Sequence, residues 1–295
     1  MGSAIVLGLV YGSAYALLGL GIVLIYKGSR VFNFAQAEFG TVAAFTVYLA
    51  RSNGLPYPIA ILLALAAAVL MGLGTERFVV QPLFDAPKVT LLVATAGVAL
   101  GSIALQLFLG GAKLRAYPPA IRGTAFRPFG VATTWQQVLI VLALVAFAVA
   151  LAAFFSRTFL GLAVLAVAQE PTAANLSGIS VKRVSALVWG LAALLGGAAG
   201  VLATALQESG FTPGYVTANF LIFAFVASVI GGITSLPGAV LGGLVLGVAQ
   251  QVTLTYVGEF EWVKNNLPGS QEIMTFVLLL IVLTFRPNGL LGKEA

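Results

Sequence analysis

An all-α bundle that crosses a membrane several times is the fold class this sequence predicts, and three observations predict it. First, 60% of the 295 residues are hydrophobic and only 8% are charged, against about 25% charged in a soluble domain. Second, the apolar residues gather into runs of about 20, the length that crosses roughly 30 Å of hydrocarbon as a helix. Third, the 34 glycines recur at four-residue spacing inside those runs, the pattern that lets helices approach closely in lipid. A soluble fold of this length could not hide so much apolar surface from water.

Taken in order, the runs 4–26, 56–75, 89–110, 135–155, 184–206 and 271–286 are long and clean enough to span. Two regions are apolar but broken. The stretch 31–50 contains Asn33, Gln36, Glu38 and Gly40, and 215–256 is interrupted by Gly231, Gly232, Pro237 and Gly238. The second is too long for one helix and slightly short for two. A half-helix over 217–230, a turn over 231–238 and a full helix over 239–256 fit it best, since non-helical backbone at membrane depth is tolerated where protein or a wet cavity surrounds it. The expectation is about eight transmembrane helices, one re-entrant or half-helix and a short cytoplasmic helix, in a single transmembrane domain over 1–295.

Met1–Ala4 carries no basic stretch, so the first run is expected to remain as an uncleaved anchor rather than a signal peptide. With the end of that run placed inside, the inner side holds Lys27, Arg30, Arg77, Lys88, Arg157, Lys182, Arg183, Arg286 and Lys293. The outer side holds Arg51, Lys113, Arg115, Arg122, Arg127 and Lys264. Nine against six favours the N-terminus outside and the C-terminus inside, because cytoplasmic loops carry the excess of Lys and Arg. The net charge of +6 is scattered over loops and helix ends and is no nucleic-acid signature.

There is no cysteine and no histidine, which excludes disulfides, thiol catalysis, His-ligated metal and any Ser/His/Asp set. A phosphate-binding G-x-x-x-x-G-K-[ST] loop is absent; the string from Gly289 to Lys293 has the wrong spacing. Transport or conduction is therefore favoured over catalysis, with no cofactor and no metal expected on this chain. The small-residue pairs Gly8/Gly12, Gly97/Gly101, Gly196/Gly200, Gly238/Gly242 and Gly243/Gly247 are candidates for helix contacts.

Two places could carry the function. Glu38 lies eight residues past Arg30, hence about 12 Å deep if the segment is helical. A carboxylate there costs a few kcal/mol unless paired, protonated or wetted. With Asn33 and Gln36 it either borders a translocation path or serves as a buried structural group. The loop 156–183 is the second. Glu170-Pro171 is a good helix start, Ala173, Ala174 and Leu176 continue it, and Gly178 ends it before Lys182 and Arg183. That short helix is either a docking knob for a cytoplasmic partner or an ordinary interfacial helix.

Four strings then resemble the LivH-type permeases of branched-chain amino acid ABC importers. They are Gly8 to Leu17 (GLVYGSAYAL), Asn33 to Glu38 (NFAQAE), Gly231 to Gly243 (GGITSLPGAVLGG) and Arg286 to Gly292 (RPNGLLG). A fifth, Ala168 to Ile179, is similar to that family's ATPase-coupling loop. Gln36 and Ala37 stand where the family usually has His and Gly, and Leu165 where a basic residue is common. The resemblance implies a permease subunit with no enzymatic activity of its own. Two cytoplasmic ATPases would use ATP and dock on Glu170, Pro171, Ala174 and Gly178. A second permease, paralogue or copy, would complete a pore bordered by Asn33, Gln36, Glu38, Gly231 and Gly232. An external solute-binding protein would deliver the solute, and the assembly would sit in inner-membrane lipid. Leucine, isoleucine and valine are the default cargo, with urea, amides or other small solutes in relatives. The rival reading from the residues is a stand-alone secondary transporter or channel built on the same broken helices.

Overall fold

The computed structural model describes residues 1–117, 119–207, 210–257, 260 and 269–292; Lys264 and Lys293, counted above on opposite sides, lie outside them. Six helices are long and apolar enough to cross a membrane. They are α1 (Gly2–Ser29), α3 (Tyr57–Thr75, prolonged by a π turn and a 3-10 turn to Leu83), α4 (Lys88–Gly110), α5 (Trp135–Arg157), α8 (Val181–Thr204) and α10 (Leu236–Tyr256). Shorter helices are α2 (Gln36–Ser52), α6 (Phe159–Gln169), α7 (Pro171–Leu176), α9 (Ile222–Gly231, begun by a π turn at Thr217–Leu221) and α11 (Ser270–Phe285). The only strands among the described residues, β1 (Thr124–Phe126) and β2 (Thr133–Thr134), form a small hairpin beside α5.

Burial separates an axis from a rim. The most apolar stretch of α1 is 72% buried, against 17% for that of α5. A helix that is hydrophobic all round belongs either inside a protein or in lipid. Here α1 takes the first place and α5 the second. Around α1 pack α8, α9 and α10, while α3 and α4 turn mostly outward.

Glycine makes that axis compact. A Cβ on Gly8 would lie 2.5 Å from the backbone of Val248, and one on Gly12 would lie 2.7 Å from the Gly243 carbonyl. The pairs Gly8/Gly12 and Gly243/Gly247 therefore face each other across α1 and α10. Gly196 and Gly200 of α8 meet Gln36 and Gly40 of α2 in the same way, and Gly238 and Gly242 meet Gly231 and Ala227 of α9. Gly97 and Gly101 on α4 have nothing within 4 Å. Four of the five pairs read from the sequence are thus helix contacts within the chain, and the fifth faces outward.

Two elements differ from the sequence reading. The break in 31–50 is concentrated at its start: Val31 to Ala35 are not helical, and Asn33 Oδ1 accepts from the Ala35 amide at 2.9 Å just ahead of α2. Gln36 nevertheless reaches the level of Gly21 on α1, eight residues or about 12 Å above Ser29. A non-helical segment ending in a turn carries the chain to that depth. The second difference is the loop 156–183, which holds an apolar helix, α6, ahead of the expected short one. Thr158 caps α6 by accepting from the Gly161 amide at 3.0 Å. At 11 residues, α6 is too short to span.

One end of the bundle gathers the end of α1, the ends of α5 and α6, the start of α10 and Leu291 of the tail around a common cavity. At the other end, Phe211 packs edge-on against Phe45, Tyr48 and Tyr117, and the Arg115 guanidinium lies 5.0 Å over the Phe45 ring. Burial pushes the Tyr117 hydroxyl well above its ordinary range, so the phenol stays neutral inside this aromatic cap.

Candidate functional site

The residue singled out by its charge, Glu38, is fully buried in the first turn of α2. Its Oε2 accepts from Gln106 Nε2 at 2.7 Å and from Ser102 Oγ at 3.2 Å, both on α4. Its Oε1 accepts from Thr217 Oγ1 at 2.6 Å and from Thr41 Oγ1 at 3.3 Å. Three elements thus converge on one carboxylate, and all four of these donors are neutral. They supply the hydrogen bonds that water would otherwise give a carboxylate at this depth.

Gln36 and Asn33 make different contacts. Gln36 Nε2 donates to the Ala192 carbonyl of α8 at 2.8 Å. Asn33 orders the turn ahead of α2, where the Phe34 amide also donates to Thr95 Oγ1 of α4 at 3.2 Å. The structure therefore brings Glu38 to α4 and α9's π turn, Gln36 to α8, and Asn33 to the turn between. Asn33 Nδ2, Gln36 Oε1 and Gln106 Oε1 are buried with no hydrogen-bond partner among the described residues. Buried polar atoms of that kind are rare and call for a reason.

Ser102, Gln106 and Thr217 were not singled out in the sequence. The first two are four apart in an otherwise apolar helix and so share one face, a signal that was available. Thr217 carries no such pattern.

Gly231 and Gly232 sit at the other end of α9. Gly232 has φ +105°, a backbone that other residues rarely adopt. The tail folds over this turn: the Leu290 and Leu291 amides donate to the Ile230 and Gly231 carbonyls at 2.8 and 2.9 Å. Two of the strings that carried the resemblance are therefore in direct contact. Just past Ile233, Thr234 to Pro237 line a cavity of about 920 Å³.

The second candidate, α7, projects from the bundle. Glu170 caps it by accepting from the Thr172 amide at 3.3 Å, Pro171 opens it, and Gly178 with φ +84° closes it. Ala174 is its buried anchor, while Leu176 is 87% exposed. An apolar side chain that open, on a helix flanked by Glu170 and Lys182, faces neither the core nor the long spans. Sequence reading took Leu176 only as a helix-former and missed its exposure.

A multi-pass helical bundle with a buried polar knot, a half-helix and a projecting interhelical knob defines an integral membrane permease. The family described as "Branched-chain amino acid transport system / permease component" matches residues 4–283. This chain belongs to that family, the membrane permeases of ABC importers. It is 31% identical to the high-affinity branched-chain amino acid transport permease BraD of Pseudomonas aeruginosa, over 97% of this chain and 94% of the relative. It is 29% identical to the corresponding LivH proteins of Salmonella typhimurium and Escherichia coli, over the same shares of each chain.

Proposed function

We propose that this chain forms one half of an importer's pore and passes branched-chain amino acids, or a related small polar solute, inward. Residues 1–295 act as one permease domain that binds no cofactor and no metal and has no enzymatic activity. Two cytoplasmic ABC ATPases supply ATP hydrolysis, a second permease closes the pore, and an external binding protein delivers the solute. The named relatives serve branched-chain amino acids, which sets the default cargo.

The observation that carries the reading is α7. It buries one alanine and offers the rest of its surface, Leu176 above all, to something outside the chain. It shares its end of the bundle with Lys27, Arg30, Arg157, Lys182 and Arg183. That clustering supports placing this end in the cytoplasm, with the N-terminus outside and the C-terminus inside. Glu170, Pro171 and Gly178 shape the knob and Ala174 seats it.

The solute path is assigned to the side of the Asn33, Gln36 and Glu38 cluster, extending to the turn at Gly231 and Gly232. The three unpartnered polar atoms in or beside that cluster support this. Glu38 and the half-helix also suit a stand-alone secondary transporter. That reading is weaker, because Glu76, the other buried carboxylate among the described residues, is held by Gln81 at the end of α3, which leaves Glu38 as the single carboxylate of the polar cluster.

Gly178→Trp tests the knob. A Cβ at Gly178 meets nothing within 4 Å, so the strain is confined to the loop, at about 1–2 kcal/mol for a left-handed residue. The expected result is a bundle whose melting temperature falls by no more than a few degrees and that no longer co-purifies with, or no longer stimulates, its ATPases. Unaltered coupled uptake would remove this role from α7.

A further inference from the structure

The cavity beside the start of α10 is itself amphipathic. Its polar members, Lys27, Arg30, Gln169, Thr234 and Ser235, all sit at helix ends on one side of the bundle. Apolar members stand beside them at Leu236, Pro237, Ala168 and Leu291, and those that lie further in are all apolar. Leu20 is seven residues before Lys27, about 10 Å deeper along α1. Leu151, Ala152 and Val240 stand at comparable positions on α5 and α10. Two of its wall residues on spanning helices, Val149 and Leu241, are 64% and 45% exposed. A chamber of about 920 Å³, charged at the membrane boundary and oily within, has the polarity profile of a lipid.

We propose that this cavity holds one anionic phospholipid, with its headgroup at Lys27 and Arg30 and its acyl chains against α1, α5 and α10. The charge dictates the headgroup class. Each Lys or Arg near the surface favours an acidic lipid, and basic pockets between spanning helices are where such headgroups lodge. The backbone adds a second argument. Arg30 has φ +56° and is the one non-glycine residue with positive φ among the described residues. Glycine or asparagine usually closes a helix this way, so an arginine there carries a strain that local folding does not need. It places a guanidinium at the cavity mouth. Lys27, whose Nζ lies 5.4 Å over the Phe155 ring, sits on the adjoining wall. The opposite wall is Leu165, Ala168 and Gln169 of α6, the helix that hands the chain to α7. An occupant would therefore brace the base of the knob, whatever that knob docks with.

Native mass spectrometry of the detergent-purified chain tests this without measuring transport, so its outcome is separate from that of the functional reading. The probes are phosphatidylglycerol and phosphatidylcholine with identical acyl chains, with millimolar inorganic phosphate as competitor. The wild type is expected to retain one phosphatidylglycerol in preference to phosphatidylcholine by roughly tenfold or more. Arg30→Gln, at an exposed side chain, should cut that preference by roughly fivefold, and Lys27→Gln with Arg30→Gln should abolish it. Ala152→Trp, which fills the apolar end, should lose both lipids. Equal retention of the two lipids by the wild type would overturn the proposal. So would an unchanged preference in Arg30→Gln, or displacement by inorganic phosphate alone, which would mark an anion site with no need for acyl chains.

Discussion

Gly247→Leu is expected to prevent the bundle from forming. A Cβ at Gly247 falls inside contact distance of the Gly12 nitrogen and the Gly8 carbonyl, and both neighbours are backbone. Over-packing costs about 1–3 kcal/mol where side chains can yield. Here none can, so α10 must separate from the central helix α1. Lipid provides no hydrophobic drive to hold two helices together at a distance, and total stabilities are only about 5–15 kcal/mol. The variant should give little monodisperse protein after detergent extraction and no cooperative melt. Gly97→Leu is the control, because that position has open space around it and its melt should match the wild type. A normal melt for Gly247→Leu would show that the α1–α10 contact is not what holds the axis.

At Glu38 the chemistry of the replacement decides the result. Glutamine keeps the shape and one acceptor. Its carbonyl can take the Gln106 amide while its NH₂ turns to Thr217 and Thr41, whose hydroxyls rotate to accept. Fold and insertion should survive. What is lost is the ability to take or release a proton, so uptake by Glu38→Gln should fall by an order of magnitude or more while the melt stays within a few degrees. Glu38→Leu differs. It strands one N–H of Gln106, the Ser102 hydroxyl and the Thr217 hydroxyl, whose bonds to the carboxylate are 2.7, 3.2 and 2.6 Å long, while the other Gln106 N–H keeps Ser102 Oγ at 3.1 Å. Each stranded donor costs about 1–3 kcal/mol, so that variant should lose stability as well. Wild-type uptake by a well-folded Glu38→Gln would make the residue a structural knot only.

The long spans were legible because hydropathy over 20 residues averages away local detail. The glycine pairs were legible as a pattern, but not their partners. Nothing in the spacing distinguishes Gly8 and Gly12, pressed on α10, from Gly97 and Gly101, which face outward. That difference depends on which helix stands opposite. The half-helix expected over 217–230 is present as a π turn and α9 ending at Gly231, because glycine and proline punctuate a chain wherever it folds. By contrast, α6 was hidden. Arg157 and Thr158 before it, Gln169 at its end and Glu170 after it give the loop a polar average that masks the 10 apolar residues 159–168.

The candidate site was half legible. Glu38 stands out because an intramembrane carboxylate is expensive. Its partners were not paired with it, since Ser102 and Gln106 lie 64 and 68 residues away and Thr217 lies 179 away. Only the tertiary fold pairs them. Likewise the Gly231–Gly232 turn and the Arg286–Gly292 tail each looked like an isolated glycine-rich string. The amides of Leu290 and Leu291 on the carbonyls of Ile230 and Gly231 explain both together. The tail needs the turn's carbonyls, and the turn needs room for the tail.

The central claim is that this bundle moves solute only when ATPases grip the knob at α7. Uptake into proteoliposomes measures that directly, with the chain reconstituted either alone under an imposed proton or sodium gradient, or with its partner permease, ATPases and binding protein plus ATP. Accumulation is expected in the complete system, its loss when Gly178→Trp replaces the wild type, and none by the chain alone under either gradient. Gradient-driven accumulation by the chain alone would contradict that claim.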